Sequence, residues 1–313
     1  MKRFAVYAAA LMLALPAVAQ EPEQTRPWRL DTGGDFSAVL DCLEAENLTL
    51  ISAHRGGPTP GLPENSIEAM DALLHATPMS AEIDVAASRD GVLFLLHDNT
   101  LDRTTTGTGE AAAQDWAALS QLRLRDAAGW TTPYRIPTLE AALAWAKGKT
   151  ALTIDFKRSA PYEDVIALIR AADMAQEVML VAYSLDAAQK LHMLAPDMLI
   201  SLSMERPGAL DEAVAAGIAA DRLVAFTGTR TARPDLYRVL DDADVEVIFG
   251  TLGRADSIDN QLDRYGIDSR YADLGAQGVD IIATDRPRAA AVALAEAGRL
   301  PRAGQCGFAR AAP

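Results

Sequence analysis

"ALTIDFKRSAPYEDVIALIRAADMAQEVMLVAYSLDAAQKLHML", residues 151–194, contains one pattern twice. ALTIDFK (151–157) is a short apolar run suited to a strand, and YEDVIALIRAADM carries apolar residues at helical spacing; EVMLVAYS and LDAAQKLHML repeat the pair. Strands separated by helices read as a parallel sheet. The alternation continues in both directions. Upstream, NLTLISAHR (47–55) precedes the helical SIEAMDALLHA (66–76), which Asn65 would cap, and SAEIDVAAS (80–88) precedes an extended GVLFLLHD (91–98), an irregular segment (100–137) and a helical TLEAALAWAKG. Downstream, MLISLSM, RLVAFTG, VEVIFGTL and GVDIIATD each lead into a helical stretch, the longest and most polar at 257–277. With 91–98 counted as an extension of the second strand, the chain holds eight strand–helix units. That number predicts a (β/α)₈ TIM-type barrel, with an insertion after the second strand. An open doubly wound sheet is the alternative, but its G-x-G-x-x-G fingerprint is missing from the first βα turn. The division that follows is a leader (1–19), an N-terminal extension (20–46), a barrel (47–300, with 100–137 inserted) and a tail (301–313).

Half of the 313 residues are apolar, enough for one large core, and the formal charge is −14. No basic run occurs outside the extreme N-terminus, which argues against a nucleic-acid partner. The leader MKRFAVYAAALMLALPAVAQ has a positive start at Lys2 and Arg3, an apolar run and the small-x-small signal Ala17-Val18-Ala19. It reads as a signal peptide cut after Ala19, too short for a stable membrane span, and predicts a periplasmic or secreted protein. Of the two cysteines, Cys42 precedes the first barrel strand and Cys306 follows the last helix. Barrel closure would bring them together at the bottom face, so a Cys42–Cys306 disulfide is expected.

A TIM barrel carries its chemistry at the C-terminal ends of its strands. The first strand ends in His54-Arg55, and the second carries Glu82 and Asp84, two residues apart and so on one face. The next extended piece ends in His97-Asp98, the third strand carries Asp155 and Lys157, and the last ends in Thr284-Asp285. Inward carboxylates are costly without a cation. Their oxygens suit a hard divalent ion such as Mg²⁺ or Ca²⁺, while Arg55 and Lys157 beside it suit a phosphate. Two histidines supply acid and base near neutral pH. Together these groups point to metal-assisted cleavage of a phosphate ester.

At these residues the chain resembles the glycerophosphodiester phosphodiesterase family, through HRG…PEN, EIDVAASRDGVLFLLHDNTLDRTTTGTG, DFK and GVDIIATDRP, over roughly residues 48–290. The resemblance implies hydrolysis of a small-molecule glycerophosphodiester to sn-glycerol 3-phosphate and an alcohol. It implies Glu82, Asp84 and Asp155 as ligands of Ca²⁺ or Mg²⁺, His54 and His97 as the acid/base pair with His54 preferred as base, Arg55 and Lys157 as phosphate contacts, and Glu64 as orienting Arg55 or touching substrate. Two departures stand out. Asp155 replaces the usual glutamate, one methylene longer, and FGTL (249–252) replaces a tryptophan motif, leaving Phe249 as an apolar wall on the alcohol side. Sphingomyelinase D-like or lysophospholipase D activity is the enzymatic alternative, and a non-catalytic phosphodiester-binding protein the other. His75 and His192 read as structural, Asp285 as the start of the turn before Pro287, and Glu205 as a strand-end surface group. GKT (148–150) is no P-loop, since Leu143 stands where a glycine is required.

Overall fold

Eight parallel strands close on themselves in the computed structural model, which describes residues 26–312. They are β1 (Leu50–Ala53), β2 (Ser80–Ala87), β3 (Leu152–Phe156), β4 (Val178–Ala182), β5 (Leu199–Ser203), β6 (Leu223–Phe226), β7 (Val247–Gly250) and β8 (Ile281–Thr284). Pairing runs in chain order, and β8 and β2 both pair with β1, which closes the TIM-type barrel. Helices follow the strands as the apolar spacing required, among them Ile67–Leu74, Leu139–Ala146 and Tyr162–Ala171. Ser66 caps the first of these, one residue after the expected Asn65. The polar stretch at 257–277 forms two helices, Ile258–Tyr265 and Arg270–Ala276, because Gly266 takes a left-handed conformation that ends the first.

The extended piece after β2 folds back on it: Leu93–Leu95 pairs antiparallel with Val85–Ala87. The segment 100–137 follows as an ordered insertion containing a hairpin (Arg123–Arg125 with Thr131–Arg135) around its own apolar cluster of Phe94, Leu101, Leu119 and Leu124.

Strand alternation sorts the barrel interior into layers. Leu50, Met179, Leu199, Val224 and Ile281 fill the bottom with apolar bulk. Above them Ser52, Thr153 and Ser201 leave a less filled layer that lines the floor of a cavity. The charged residues sit at the top. Their alternate neighbours along the strands, such as Ile83, Phe249 and the Ala53 methyl, pack outward into the sheet–helix core.

The bottom is plugged. Helix Phe36–Ala45, capped by the Asp35 carboxylate, presses Phe36, Val39, Leu40 and Leu43 against the lowest interior layer. Strand Trp28–Leu30 pairs antiparallel with Phe308–Arg310, so the N-terminal extension and the C-terminal tail form one closure, and the Cys42–Cys306 disulfide joins them across 264 residues of chain. The expected signal peptide lies outside the described residues. No helix among the described residues is long and apolar enough to cross a membrane.

Acid groups also meet at this end. Burial, reinforced by the charges of Asp41 and Asp280 and a hydrogen bond to Asp41, pushes the Glu246 carboxyl up to about 8. Its ordinary value is 4.5. A carboxyl raised on folding contributes stability that is present below its ordinary value and is lost as pH rises through the raised one. Glu246→Gln should therefore melt roughly 2–4 °C above the parent at pH 8.5, with no advantage at pH 4.5, in parallel thermal melts. Replacing both cysteines by serine should lower unfolding free energy by about 3–5 kcal/mol in denaturant titrations, the expectation for opening so long a loop.

Candidate active site

The turn after β1 sets the first part of the site. Adjacent residues of a strand face opposite ways, yet His54 and Arg55 both line the cavity. A short 3₁₀ turn, His54–Gly56, makes this possible, with Arg55 at φ +52° in the left-handed region that non-glycine residues avoid. Two backbone bonds hold it there: Arg55 N donates to Glu82 Oε2 (2.7 Å), and Asn65 N donates to the Arg55 carbonyl (2.8 Å). Gly56 and Gly57 follow at positive φ, and a Cβ on either would meet Met70 or Leu73 of helix Ile67–Leu74 at 2.7 and 2.5 Å.

The i, i+2 spacing on β2 does turn Glu82 and Asp84 inward, and register with β3 sets Asp84 beside Asp155. One oxygen from each of Glu82, Asp84 and Asp155 lies within 4.8 Å of the others. Lys157 Nζ bridges Asp84 and Asp155 at 2.6 Å each, Asn65 Nδ2 donates to Asp84 (2.6 Å) and Tyr183 OH to Asp155 (3.0 Å). Burial opposes ionisation of Asp84, but the Lys157 charge and these hydrogen bonds outweigh it and hold its carboxyl below the usual range. Glu82 lacks that help: burial and the Asp84 charge push it up to about 8. Lys157 stays charged, since the two aspartates outweigh its burial. The triad fits a hard divalent cation. It offers only oxygens, one ammonium does not neutralise it, and Asp155 Oδ1 is buried without a hydrogen-bond partner.

Each histidine is backed by a carboxylate. His54 Nδ1 lies 2.6 Å from Asp285 Oδ1, and His97 Nδ1 lies 2.7 Å from Asp98 Oδ1. Burial works against a proton on His54, but the Asp285 hydrogen bond and the Glu82 charge raise its affinity overall. Asp285 is itself fixed by Gly253 N (2.9 Å), and its backbone N–H donates to buried Asp259 (2.7 Å), which also takes Tyr271 OH and Thr284 Oγ1. On the other side Arg103, from the insertion, forks between Glu64 (2.8 Å twice) and Asp98 (2.6 and 2.9 Å). Glu64 in turn accepts from Arg55 Nη1 at 3.2 Å. One exposed guanidinium thus ties the Arg55 arm to the carboxylate behind His97.

The cavity has a volume of about 310 Å³ and is lined by His54, Arg55, Glu82, Asp84, His97, Asp155 and Lys157. Glu64 stands behind Arg55. Phe249, expected on the alcohol side, does not reach it. Ile248 and Leu252 line the cavity, and the parity of β7 sends fully buried Phe249 outward against the helices. Phe226 and Leu252 form the apolar wall in its place. Asp285, read as a turn residue, belongs to the site. Its carboxylate, one residue past the end of β8, lies 2.6 Å from His54 Nδ1. Arg103, Asn65 and Tyr183 were missed as well; Arg103 lay within the quoted HDNTLDRTT run, but nothing in its spacing shows that it reaches back to Glu64. Glu205 pairs with Arg233 at 3.4 Å, outside the cavity lining, and His75 and His192 lie on outer helices.

Comparison with known proteins agrees with this geometry. The model of the glycerophosphoryl diester phosphodiesterase family matches residues 54–244. Glycerophosphodiester phosphodiesterase 1 of Homo sapiens is 36% identical over 112 residues, 34% of this chain and 33% of that protein. The chain thus spans about a third of that curated relative's length. A glycerophosphoryl diester phosphodiesterase from Parabacteroides distasonis is similar in structure, with 30% identity, a TM-score of 0.78, and coverage of 92% of this chain and 100% of that one. An Oleispira antarctica phosphodiesterase, solved in complex with the product sn-glycerol-3-phosphate, shares the fold at 20% identity and a TM-score of 0.62, over 79% of this chain and 97% of that one. The family match begins at His54 and takes in both histidines, the carboxylate triad and Arg103, and the Parabacteroides likeness spans the whole barrel: the chain belongs to the glycerophosphoryl diester phosphodiesterase family.

Proposed function

We propose that the chain is an exported phosphodiesterase that hydrolyses glycerophosphodiesters to sn-glycerol 3-phosphate and an alcohol, with Glu82, Asp84 and Asp155 holding Ca²⁺ or Mg²⁺. One observation carries the reading. Two buried polar atoms of the cavity-lining residues lack hydrogen-bond partners, and they are of opposite kind: Arg55 Nε, 3.8 Å from Asp84 Oδ2, is a donor and Asp155 Oδ1 an acceptor. An anion beside a cation satisfies both. The bound ion would supply Lewis-acid stabilisation of charge on the phosphoryl oxygens.

Arg55 and Lys157 bind the non-bridging oxygens, and Glu64 with Arg103 keeps Arg55 aimed. His97 takes the proton of the attacking oxygen, from water or from the adjacent glycerol hydroxyl; in the second case a cyclic phosphate forms, which water must then open to give glycerol 3-phosphate. The bond from phosphorus to the alcohol oxygen breaks, and His54 gives that oxygen its proton. The donor role suits His54 because Asp285 stabilises its protonated form, which reverses the preference drawn from sequence. Export is supported by the leader's pattern and by a disulfide that an oxidising compartment would maintain. The ordered insertion, whose Arg103 completes the site, favours this reading over a sphingomyelinase D-like one.

Purified mature protein should release glycerol 3-phosphate from glycerophosphocholine with Ca²⁺ or Mg²⁺ and stop in EDTA. His54→Ala and His97→Ala should each cut kcat by about 10²–10⁴. Tight diester binding without turnover in any metal would support the binding-protein alternative instead. Asp285→Asn should leave KM nearly constant and move the alkaline limb of the kcat profile to lower pH, because His54 then loses its proton sooner. An unshifted limb would remove Asp285 from the proton path.

A further inference from the structure

A second pocket, of about 460 Å³, opens beside the catalytic cavity. The two share Leu252 and Gly253 as common wall. Gly253 N and His54 Nδ1 bind the two oxygens of the same Asp285 carboxylate, so the pocket begins on the His54 side of the site. Its lining includes Arg230, from the loop after β6, and Arg254, from the loop after β7. Neighbouring Arg233 is occupied by Glu205 and the Thr227 carbonyl, and Arg286 by Asp263 and Asp268. Among the described residues neither the Arg230 nor the Arg254 guanidinium has a carboxylate or hydrogen-bond partner, in a chain whose net charge is −14. Asp256 also lines the pocket but leaves it net positive. Two uncommitted guanidinium groups in the lining of one hollow suit the recognition of a phosphate.

Resting on the phosphodiesterase reading, we infer that this pocket receives a second phosphate carried by the leaving alcohol, so that diesters with a phosphate-bearing alcohol are the preferred substrate class. The placement agrees with His54 as the group that protonates that alcohol. A cationic alcohol such as choline gains nothing there.

The test compares kcat/KM for three diesters of glycerol phosphate: one with choline, one with glycerol, and one whose alcohol glycerol carries a further glycerophosphate. The last should exceed the neutral glycerol diester by about fivefold or more at low salt, the scale of two exposed charge pairs. The advantage should sit mainly in KM, shrink in 0.5 M NaCl, and fall toward parity in the Arg230→Gln/Arg254→Gln double variant. Equal values for the neutral and phosphate-bearing diesters, or a preference that survives both substitutions, would overturn the inference while leaving the phosphodiesterase reading standing. Absence of turnover on all three would bring down that reading and this inference with it.

Discussion

Three carboxylates share a space in which their oxygens come within 4.8 Å, and much of the upper barrel is arranged to tolerate them. Burying anions without compensation is among the most expensive things a fold does. Here the compensation comes from several directions. Lys157 sits between two of the carboxylates, Asn65 donates to the other oxygen of Asp84, Tyr183 caps Asp155, and the strained Arg55 peptide donates to Glu82. The left-handed Arg55 is thus explained by electrostatics: the same backbone turn that aims its guanidinium into the cavity supplies the N–H that Glu82 needs.

Compensation stops short of neutrality, and that residue of negative charge gives the site its chemistry. Glu82 pushed up to about 8 and Asp155 Oδ1 without a hydrogen-bond partner belong to a set of oxygens that suits a divalent cation. Around that centre the histidines are held by a different kind of support, one carboxylate each. Asp285 is anchored through Asp259 into the helix after β7, and Asp98 through Arg103 into the insertion. Elements distant in sequence therefore bear on the two histidines separately.

Much of this was legible in the chain. The count of eight strand–helix units identified the barrel, and period-two alternation turned Glu82, Asp84, Asp155 and Lys157 inward, because side-chain direction along a strand is geometric. The same rule, applied to VIFG, would have sent Phe249 outward; that error came from weighing a motif above the parity, while the contact of Asp285 with His54 lies one residue past the last strand, where strand parity no longer applies. Arg103 is of another kind. Its reach to Glu64, 39 positions away, depends on how a folded insertion lies across the barrel mouth, which no local pattern encodes. The plug at the bottom was hidden for a similar reason: the pairing of Trp28–Leu30 with Phe308–Arg310 joins two short segments from opposite ends of the chain, each too brief to announce itself as a strand.

The cysteine link has a topological meaning beyond its energy. All eight barrel strands, from Leu50 to Thr284, lie between Cys42 and Cys306, so the covalent structure of the barrel is a ring rather than a thread. A single peptide-bond cleavage in any rim loop opens the ring but releases no fragment, and both halves of the active site remain parts of one molecule. A nicked chain of this kind keeps its pieces at the same effective concentration as before the cut, whereas an unlinked barrel would depend on packing alone to hold its first and last strands together.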